Sequence, residues 1–198
     1  LRRVRGGAEL AAAESPEAAV QLPFASRKGL QSETKRRIAR LAASLCREEE
    51  TVIIDGGSTT FHMAEFLLDL RLQIITNSFA IAESLVGRSQ ATVILNGGIV
   101  YPDSQLVLDP FQEEPFRNYC ASKVFMGVYG IDELGATNTD PLLIKTERAM
   151  IEHGKQLIIL ADASKFDRRG SLALCGFERI HTIITDAGVT AAQRNMVE

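Results

Sequence analysis

Short runs of apolar, β-branched residues recur along this chain and constrain its fold more than any other feature. The runs are uniformly apolar rather than alternating, which is typical of strands buried on both faces of a parallel sheet. They lie at residues 51–54, 72–75, 92–95, 124–128, 157–161 and 182–184. Segments with helical character separate them, around residues 38–45, 58–70, 77–87, 141–153 and after Thr190. This alternation predicts an α/β fold with a doubly wound, mainly parallel, Rossmann-like sheet.

Composition limits the classes of protein that this chain can belong to. With 198 residues, of which 45% are apolar, it can bury the core of one substantial domain. The formal net charge of −3 argues against a nucleic-acid-binding surface on the bulk of the chain. The three cysteines are far apart and form no CxxC pair, which suits a reducing cytoplasm and predicts neither a disulfide framework nor a zinc site. No apolar stretch is long enough to cross a membrane.

The clearest candidate site follows the first predicted strand. Two glycines and three hydroxyl residues stand there, in the order Asp55, Gly56, Gly57, Ser58, Thr59 and Thr60. Glycines let backbone N–H groups approach a ligand closely, and hydroxyls at the start of a helix favour a phosphate or carboxylate. The alternative is an ordinary turn in which Asp55 or Ser58 merely caps the helix. Three hydroxyls behind a glycine pair favour the anion site, because a cap needs only one.

Other polar residues follow the remaining predicted strands. Ligands of an open parallel sheet bind at the carboxyl ends of its strands, where this sequence places Asn77, Gly97, Gly98 and Lys165. Each has an alternative role: Asn77 as a helix cap, the two glycines as turn residues, and Lys165 as a solvated loop charge. The sequence contains neither G-x-x-x-x-G-K-[ST] nor G-x-G-x-x-G, which argues against a nucleotide. These strand ends predict a site for a small anionic metabolite, with no cofactor.

Several other polar residues have simpler explanations than chemistry. Asp132 and Glu133 are candidates for general acid–base catalysis, although acids in a glycine-rich loop are more often solvated. Lys145, Glu147 and Arg148 share one predicted helix, where we interpret them as surface ion pairs. The three histidines are isolated in the sequence, so no metal site is expected.

Residues 1–30 differ from the rest and are predicted to form an arm or linker. The first seven residues are basic and end in a glycine pair, and Pro16 and Pro23 follow in Ala/Glu-rich sequence with no sustained period. The chain begins at Leu1 rather than at Met, which indicates a fragment of a longer protein. We therefore predict an arm over residues 1–30 and one domain over residues 31–198.

Taken together and in this order, these motifs resemble the effector-sensing domain of DeoR-type bacterial transcriptional repressors. The resemblance covers about residues 30–190 and rests on residues 55–60, 76–78, 97–98, 162–166 and 184–186. Residues 1–8 look like the end of the winged helix-turn-helix domain that precedes the sensor in this family.

The resemblance implies a cytoplasmic sensor of a phosphorylated sugar, with the fold of the ribose-5-phosphate isomerase and glucosamine-6-phosphate deaminase group. In that group the D-x-G-[ST]-T turn binds the phosphate, which corresponds here to Asp55, Gly57, Ser58, Thr59 and Thr60, with Gly97, Gly98 and Lys165 around it. It also implies operator DNA bound through an upstream domain, and a homo-oligomer, dimer or tetramer. The basic, glycine-rich catalytic stretch of the isomerases is missing from the sequence, so the resemblance implies a sensor and not an enzyme.

Two other hypotheses stay open at this point. One is a sugar-phosphate isomerase or deaminase that uses Asp132 or Glu133 as its base. The other is a metabolite-binding module without a DNA partner, against which the basic segment 1–7 argues.

Overall fold

The computed structural model describes Arg2–Val4, Gly7–Glu9 and residues 22–111 and 116–197. The first two segments are strands that pair antiparallel, with Arg2 opposite Glu9. The rest of the predicted arm up to residue 21 lies outside the described residues. The interpretation of residues 1–8 as the end of a DNA-binding domain therefore stays a prediction.

Thirteen strands are found within the described ranges. In chain order they are β1 (Arg2–Val4), β2 (Gly7–Glu9), β3 (Thr51–Ile54), β4 (Gln73–Thr76), β5 (Thr92–Leu95), β6 (Ile99–Tyr101), β7 (Leu106–Leu108), β8 (Ala121–Met126), β9 (Gly130–Asp132), β10 (Gly135–Asn138), β11 (Gly154–Leu160), β12 (Leu172–Cys175) and β13 (Ile180–Ile184). The α-helices are α1 (Phe24–Gly29), α2 (Ser32–Ala43), α3 (Phe79–Leu85), α4 (Pro141–Glu152) and α5 (Ala191–Val197). Short 3₁₀ helices cover Thr60–Phe66, Ala163–Lys165 and Phe177–Arg179.

Six strands form one parallel sheet in the order β13-β11-β8-β3-β4-β5, which confirms the predicted doubly wound parallel α/β fold. Strand β3 lies between β4 and β8, and its residue Val52 stands opposite Ile74 on one side and Lys123 on the other. The chain builds outwards from β3 to β5 and then returns to place β8 on the other side of β3. Strand order therefore reverses between β3 and β8, and ligands of such sheets bind at this kind of switch point.

Both faces of the sheet are covered by helices. Val52 and Ile54 of β3 belong to a hydrophobic cluster that includes residues of α2 and α3, whereas Ile53 belongs to a second cluster that includes residues of α4. All three side chains are fully buried. Burying one such side chain stabilises a fold by about 1.5–3 kcal/mol. A strand with two buried faces has no position for a polar residue, which explains the uniformly apolar runs of the sequence.

Two smaller antiparallel units were not predicted from the sequence. Strands β12, β10 and β9 form a three-stranded sheet, and β6 and β7 form a hairpin. These strands are three or four residues long and several begin at or beside glycine, so they show no period that could mark them as strands.

One local prediction is wrong in detail, because the predicted helix over residues 58–70 is a 3₁₀ helix confined to Thr60–Phe66. Helix α3 is capped by Ser78, which accepts the N–H of Ile81 at 3.2 Å, whereas Asn77, the candidate cap named above, has another role. Within the predicted arm, residues 24–29 form α1, which packs against the domain through the buried side chain of Phe24.

Candidate functional site

The turn after β3 is fixed by a buried network of hydrogen bonds. The Asn77 amide nitrogen Nδ2 donates to Oδ1 of Asp55 at 2.9 Å, and Oδ1 of Asn77 accepts the N–H of Gly56 at 2.8 Å. Thr60 closes the other end of the turn, because its hydroxyl accepts the N–H of Gly57 at 2.9 Å and donates to the Gly57 carbonyl at 3.1 Å. Asp55, Asn77 and Thr60 thus use their polar atoms to shape the turn.

The middle of the turn retains unused donors. No hydrogen-bond partner is found, among the residues that the structure describes, for the backbone N–H groups or the hydroxyls of Ser58 and Thr59. Both residues line a cavity. The N–H groups of Gly56 and Gly57, in contrast, are already bonded inside the turn. An anion at this turn would therefore be bound by Ser58 and Thr59 rather than by the glycines.

The cavity has a volume of about 290 Å³ and lies at the carboxyl ends of β3, β8 and β11. Its walls come from both halves of the sheet and from the α1–α2 region. The lining residues that matter below are Arg27, Lys35, residues 55–59, Tyr129, Asn138, Glu147, Asp162, Lys165 and Arg168. The volume is at the small end of the range for ligand sites, which suits a small metabolite.

Four cationic side chains, Arg27, Lys35, Lys165 and Arg168, line the cavity. Burial lowers the pKa of Lys35 to about 8, opposed by the charge of Asp162. Burial likewise lowers the pKa of Lys165, again opposed by Asp162. An anion beside the two amines would raise their pKa values and favour their protonated forms. The cavity therefore favours a negatively charged ligand.

The carboxyl groups of the cavity carry less negative charge than their number suggests. Burial raises the pKa of Asp55 to about 6, against the opposing hydrogen bonds of Asn77 and Gly56. Burial also raises the pKa of Glu147 well above its ordinary value, and the charge of Asp55 adds to this. Both oxygens of Glu147 accept hydrogen bonds from Nδ2 of Asn138, at 2.8 and 2.9 Å. Suppressed ionisation of Glu147 makes the cavity more positive near neutral pH, where Asp55 is mostly ionised.

The predicted site residues are only partly brought together. Asp55, Gly56, Gly57, Ser58, Thr59 and Lys165 line the cavity. Thr60 and Asn77 stand behind this lining and hold the turn. Gly97 and Gly98 lie outside the lining, in the turn between β5 and β6. Gly98 has φ of +139°, and a Cβ there would stand 2.6 Å from the Leu108 backbone, so the hairpin itself requires this glycine.

The carboxylates of the enzyme hypothesis do not lie at the cavity. Asp132 and Glu133 lie in the β9–β10 hairpin and are absent from the cavity lining. Arg169 forms an ion pair with Asp132 and another, at 2.8 Å, with Glu133. Hydrogen bonds from Arg169 and the N–H of Leu134 outweigh desolvation and lower the pKa of Asp132. A paired carboxylate with a lowered pKa is a poor general base.

Sequence reasoning missed four charged residues of the cavity, Arg27, Lys35, Glu147 and Arg168. Arg27 lies in the predicted arm, and Lys35 in the first helix, where neither was singled out. Glu147 was interpreted as part of a surface ion pair, which is wrong, because its side chain is 1% exposed. A signal for Glu147 was present, since it shares the buried stripe of α4 with Ile144 and Ile151 at i−3 and i+4.

Two classes of site find no support in the described parts of the chain. Among residues 22–111 and 116–197, no group of three or more His, Cys, Asp or Glu side chains is arranged to hold a metal ion. None of the helices that the structure describes combines the length and the hydropathy that crossing a bilayer requires.

Fold and site together define a doubly wound α/β domain with a cationic cavity at the switch point of its sheet. Comparison with protein families assigns it further. The family model of the DeoR C terminal sensor domain matches residues 30–187, and the chain therefore belongs to the DeoR family. The resemblance derived from the sequence motifs is thereby confirmed.

Curated relatives are named as transcriptional regulators. An uncharacterized HTH-type transcriptional regulator of Bacillus subtilis (strain 168), YulB, is 29% identical over 199 residues, which cover 100% of this chain and 76% of the relative. The glycerol-3-phosphate regulon repressor of Escherichia coli (strain K12) is 29% identical over 189 residues, 94% of this chain and 73% of the repressor. These relatives carry the names of regulators and repressors, which places the chain in a regulatory rather than an enzymatic class.

A solved structure with a TM-score above 0.5 shows the same fold at low sequence identity. The translation initiation factor eIF-2B of Pyrococcus horikoshii OT3 has a TM-score of 0.54 and 19% identity, over 84% of this chain and 67% of that chain. A ribose 5 phosphate isomerase A from Neisseria gonorrhoeae has a TM-score of 0.49 and 18% identity, over 70% of this chain. This chain spans 55% of the length of that isomerase.

Proposed function

We propose that this chain is the effector-sensing part of a DeoR-type transcriptional regulator of carbohydrate metabolism, and that its effector is a phosphorylated sugar or sugar derivative. The observation that carries the proposal is the pair Ser58 and Thr59, whose free N–H groups and hydroxyls line a cavity with four cationic side chains. Oriented N–H groups together with hydroxyls and a lysine are the donors that phosphate prefers. The phosphate would lie against Ser58, Thr59 and Lys165.

Polar side chains of the cavity suit the sugar part of such a ligand. Asn138, Glu147 and Tyr129 supply amide, carboxyl and phenol groups. Hydroxyl groups of a sugar can donate to or accept from groups of these kinds.

The rest of the regulator's function follows as part of the same proposal. Effector binding shifts the protein between a form that binds operator DNA and a form that does not, through different affinities of the effector for the two forms. DNA is bound by an upstream domain, and the working unit is a homo-oligomer of the bacterial cytoplasm, a dimer or a tetramer. Operators with two-fold symmetry suit such an assembly.

Thermal unfolding tests the ligand class directly. With D-glucose 6-phosphate or D-ribose 5-phosphate at a hundred-fold excess over Kd, linkage adds about 2.7 kcal/mol to the free energy of unfolding. For a chain of this length, Tm then rises by about 5–10 °C. The unphosphorylated parent sugars should leave Tm unchanged.

The double variant Ser58→Ala/Thr59→Ala should lose the response to the phosphorylated sugars. Ser44→Ala is the matched control, since Ser44 is exposed and lies outside the cavity. A full response of the double variant would place the phosphate elsewhere, and equal shifts with the parent sugars would refute the phosphate requirement.

The variant Gly97→Ala tests whether Gly97 is a turn residue or a ligand-binding residue. A Cβ at Gly97 would meet no atom within 4 Å, and Gly97 lies outside the cavity lining. We expect the free energy of unfolding to change by less than about 0.5 kcal/mol and the affinity for the phosphorylated sugar to stay within about two-fold, as for other exposed surface changes. Isothermal titration calorimetry and urea unfolding measure both quantities. A ten-fold loss of affinity would instead place Gly97 at the ligand.

A further inference from the structure

Helix α1 lies outside the sheet, and its residue Arg27 lines the cavity. It is a short helix, and of its six residues only Phe24 is buried by its full side chain. Arg27 lines the cavity, where its charge acts on Asp55, Lys35 and Lys165. Arg27 therefore belongs to the same cationic cluster as the two lysines, although the chain reaches it before the first strand of the parallel sheet.

The guanidinium of Arg27 is incompletely paired. Its Nε is buried and has no hydrogen-bond partner among the described residues. A buried donor without a partner costs free energy, and a charged donor costs more than a neutral one. An anion in the cavity removes this cost, because a guanidinium binds phosphate through two parallel hydrogen bonds.

The rest of α1 is attached by few contacts. The N–H of Phe24 donates to the Asp103 carbonyl at 2.7 Å, and Nζ of Lys35 donates to the Arg27 carbonyl at 2.6 Å. Phe24 also packs edge-on against Phe61, with ring centroids 5.4 Å apart, and Nζ of Lys28 lies 4.8 Å from the centroid of the same ring. A segment with so few contacts has low local stability, so one strong additional contact changes its position or motion measurably.

We propose that Arg27 binds the anionic group of the effector, so that an occupied cavity holds α1 against the sheet domain. This rests on the proposed function, since it assumes that a phosphorylated ligand occupies the cavity. It adds a binding residue from the segment N-terminal to the sheet, and it gives that segment a physical connection to the ligand. Arg27 lines the cavity, and Phe24 contacts Phe61, the residue that follows the turn at residues 58–60.

Titration calorimetry with D-glucose 6-phosphate, or with whichever sugar phosphate stabilises the wild type, tests the binding role. Arg27→Gln should weaken binding by about 10- to 100-fold, the effect of losing charge-assisted hydrogen bonds. Lys28→Gln is the matched control: it removes the same charge from the same helix, but Nζ of Lys28 lies 4.8 Å from the centroid of the Phe61 ring and not in the cavity. Its affinity should stay within about two-fold of the wild type.

Hydrogen exchange tests the connection to α1. In the wild type, ligand should slow hydrogen exchange at the amides of Ser58 and Thr59. It should also slow exchange at the amides of Arg27 and Leu30, which donate to the carbonyls of Pro23 and Ser26. In Arg27→Gln, saturating ligand should still protect Ser58 and Thr59 but no longer Arg27's position or Leu30.

The outcomes separate the two proposals. If Arg27→Gln binds as tightly as the wild type, or if its α1 amides are still protected, the inference is overturned while the proposed function stands. If no sugar phosphate binds the wild type at all, both are overturned.

Discussion

Replacing Asn77 by alanine is expected to remove about 3 kcal/mol from the free energy of unfolding, although Asn77 contacts no ligand position directly. Its amide joins the carboxyl group of Asp55 to the N–H of Gly56, and Asn77 is fully buried. Alanine leaves a buried acceptor and a buried donor without partners, and each such group costs about 1–3 kcal/mol. Urea unfolding followed by circular dichroism measures the loss.

Asn118→Ala is the control for this prediction, because Asn118 is exposed and the same atoms are deleted. Its free energy of unfolding should change by less than about 0.5 kcal/mol. A loss below about 1 kcal/mol in Asn77→Ala would mean that water replaces both hydrogen bonds, and that the network does not determine the geometry of the turn. The variant should also bind the phosphorylated sugar more weakly, since Ser58 and Thr59 depend on that geometry.

Asp55→Asn is expected to change how stability depends on pH. The pKa of Asp55 is about 6 in the folded protein, against an ordinary value of 3.8. Between these values the folded protein holds a proton that the unfolded chain has released, so the free energy of unfolding falls as pH rises. This loss is complete above pH 6 and amounts to about 3 kcal/mol. Asparagine cannot ionise, so the variant lacks this loss.

The measurement is the difference in unfolding free energy between Asp55→Asn and the wild type, from pH 4 to pH 7.5. It should rise by about 2.5 kcal/mol across this range, in favour of the variant. A hydrogen bond lost in the variant would shift its curve equally at every pH and leave the slope unaffected. If the unfolding free energies of Asp55→Asn and of the wild type vary with pH in parallel, the raised pKa of Asp55 is contradicted.

The sheet and the turn could be predicted because their signals are local. Each buried strand shows its apolar run within four or five residues, and the turn shows its glycines and hydroxyls within six. Parallel pairing then brings strand ends to one edge, and Lys165 and Ser58 line the same cavity there. The same rule overextended the site to Gly97 and Gly98, because β5 is the edge strand and its end lies far from the switch point.

Arg27 and Lys35 could not be predicted from local patterns, and for Glu147 the buried stripe of α4 was the one local signal. Arg27 and Lys35 reach the cavity only because the α1–α2 region folds over it, with Gln31 in a left-handed conformation (φ 51°, ψ 33°) between the two helices. Glutamine rarely adopts this conformation, so no sequence rule indicates it. Glu147 has the charge pattern of a surface helix, and its burial depends on the partner that Asn138 supplies from β10.

The pairing of β3 with β8 also determines when the cavity can form. The hydrogen bond between Ser122 and the Thr51 carbonyl joins residues that are 71 positions apart, and the pairs of β3 with β8 have similar separations. Contacts this distant in sequence form late and slowly during folding, because loop-closure entropy opposes them. A chain still being synthesised, with β8 and β11 unmade, has the turn at residues 55–60 but not Lys165 or Glu147. Under the proposed function, effector binding would therefore begin only after the two halves of the sheet have met, and a nascent or half-folded molecule would not respond.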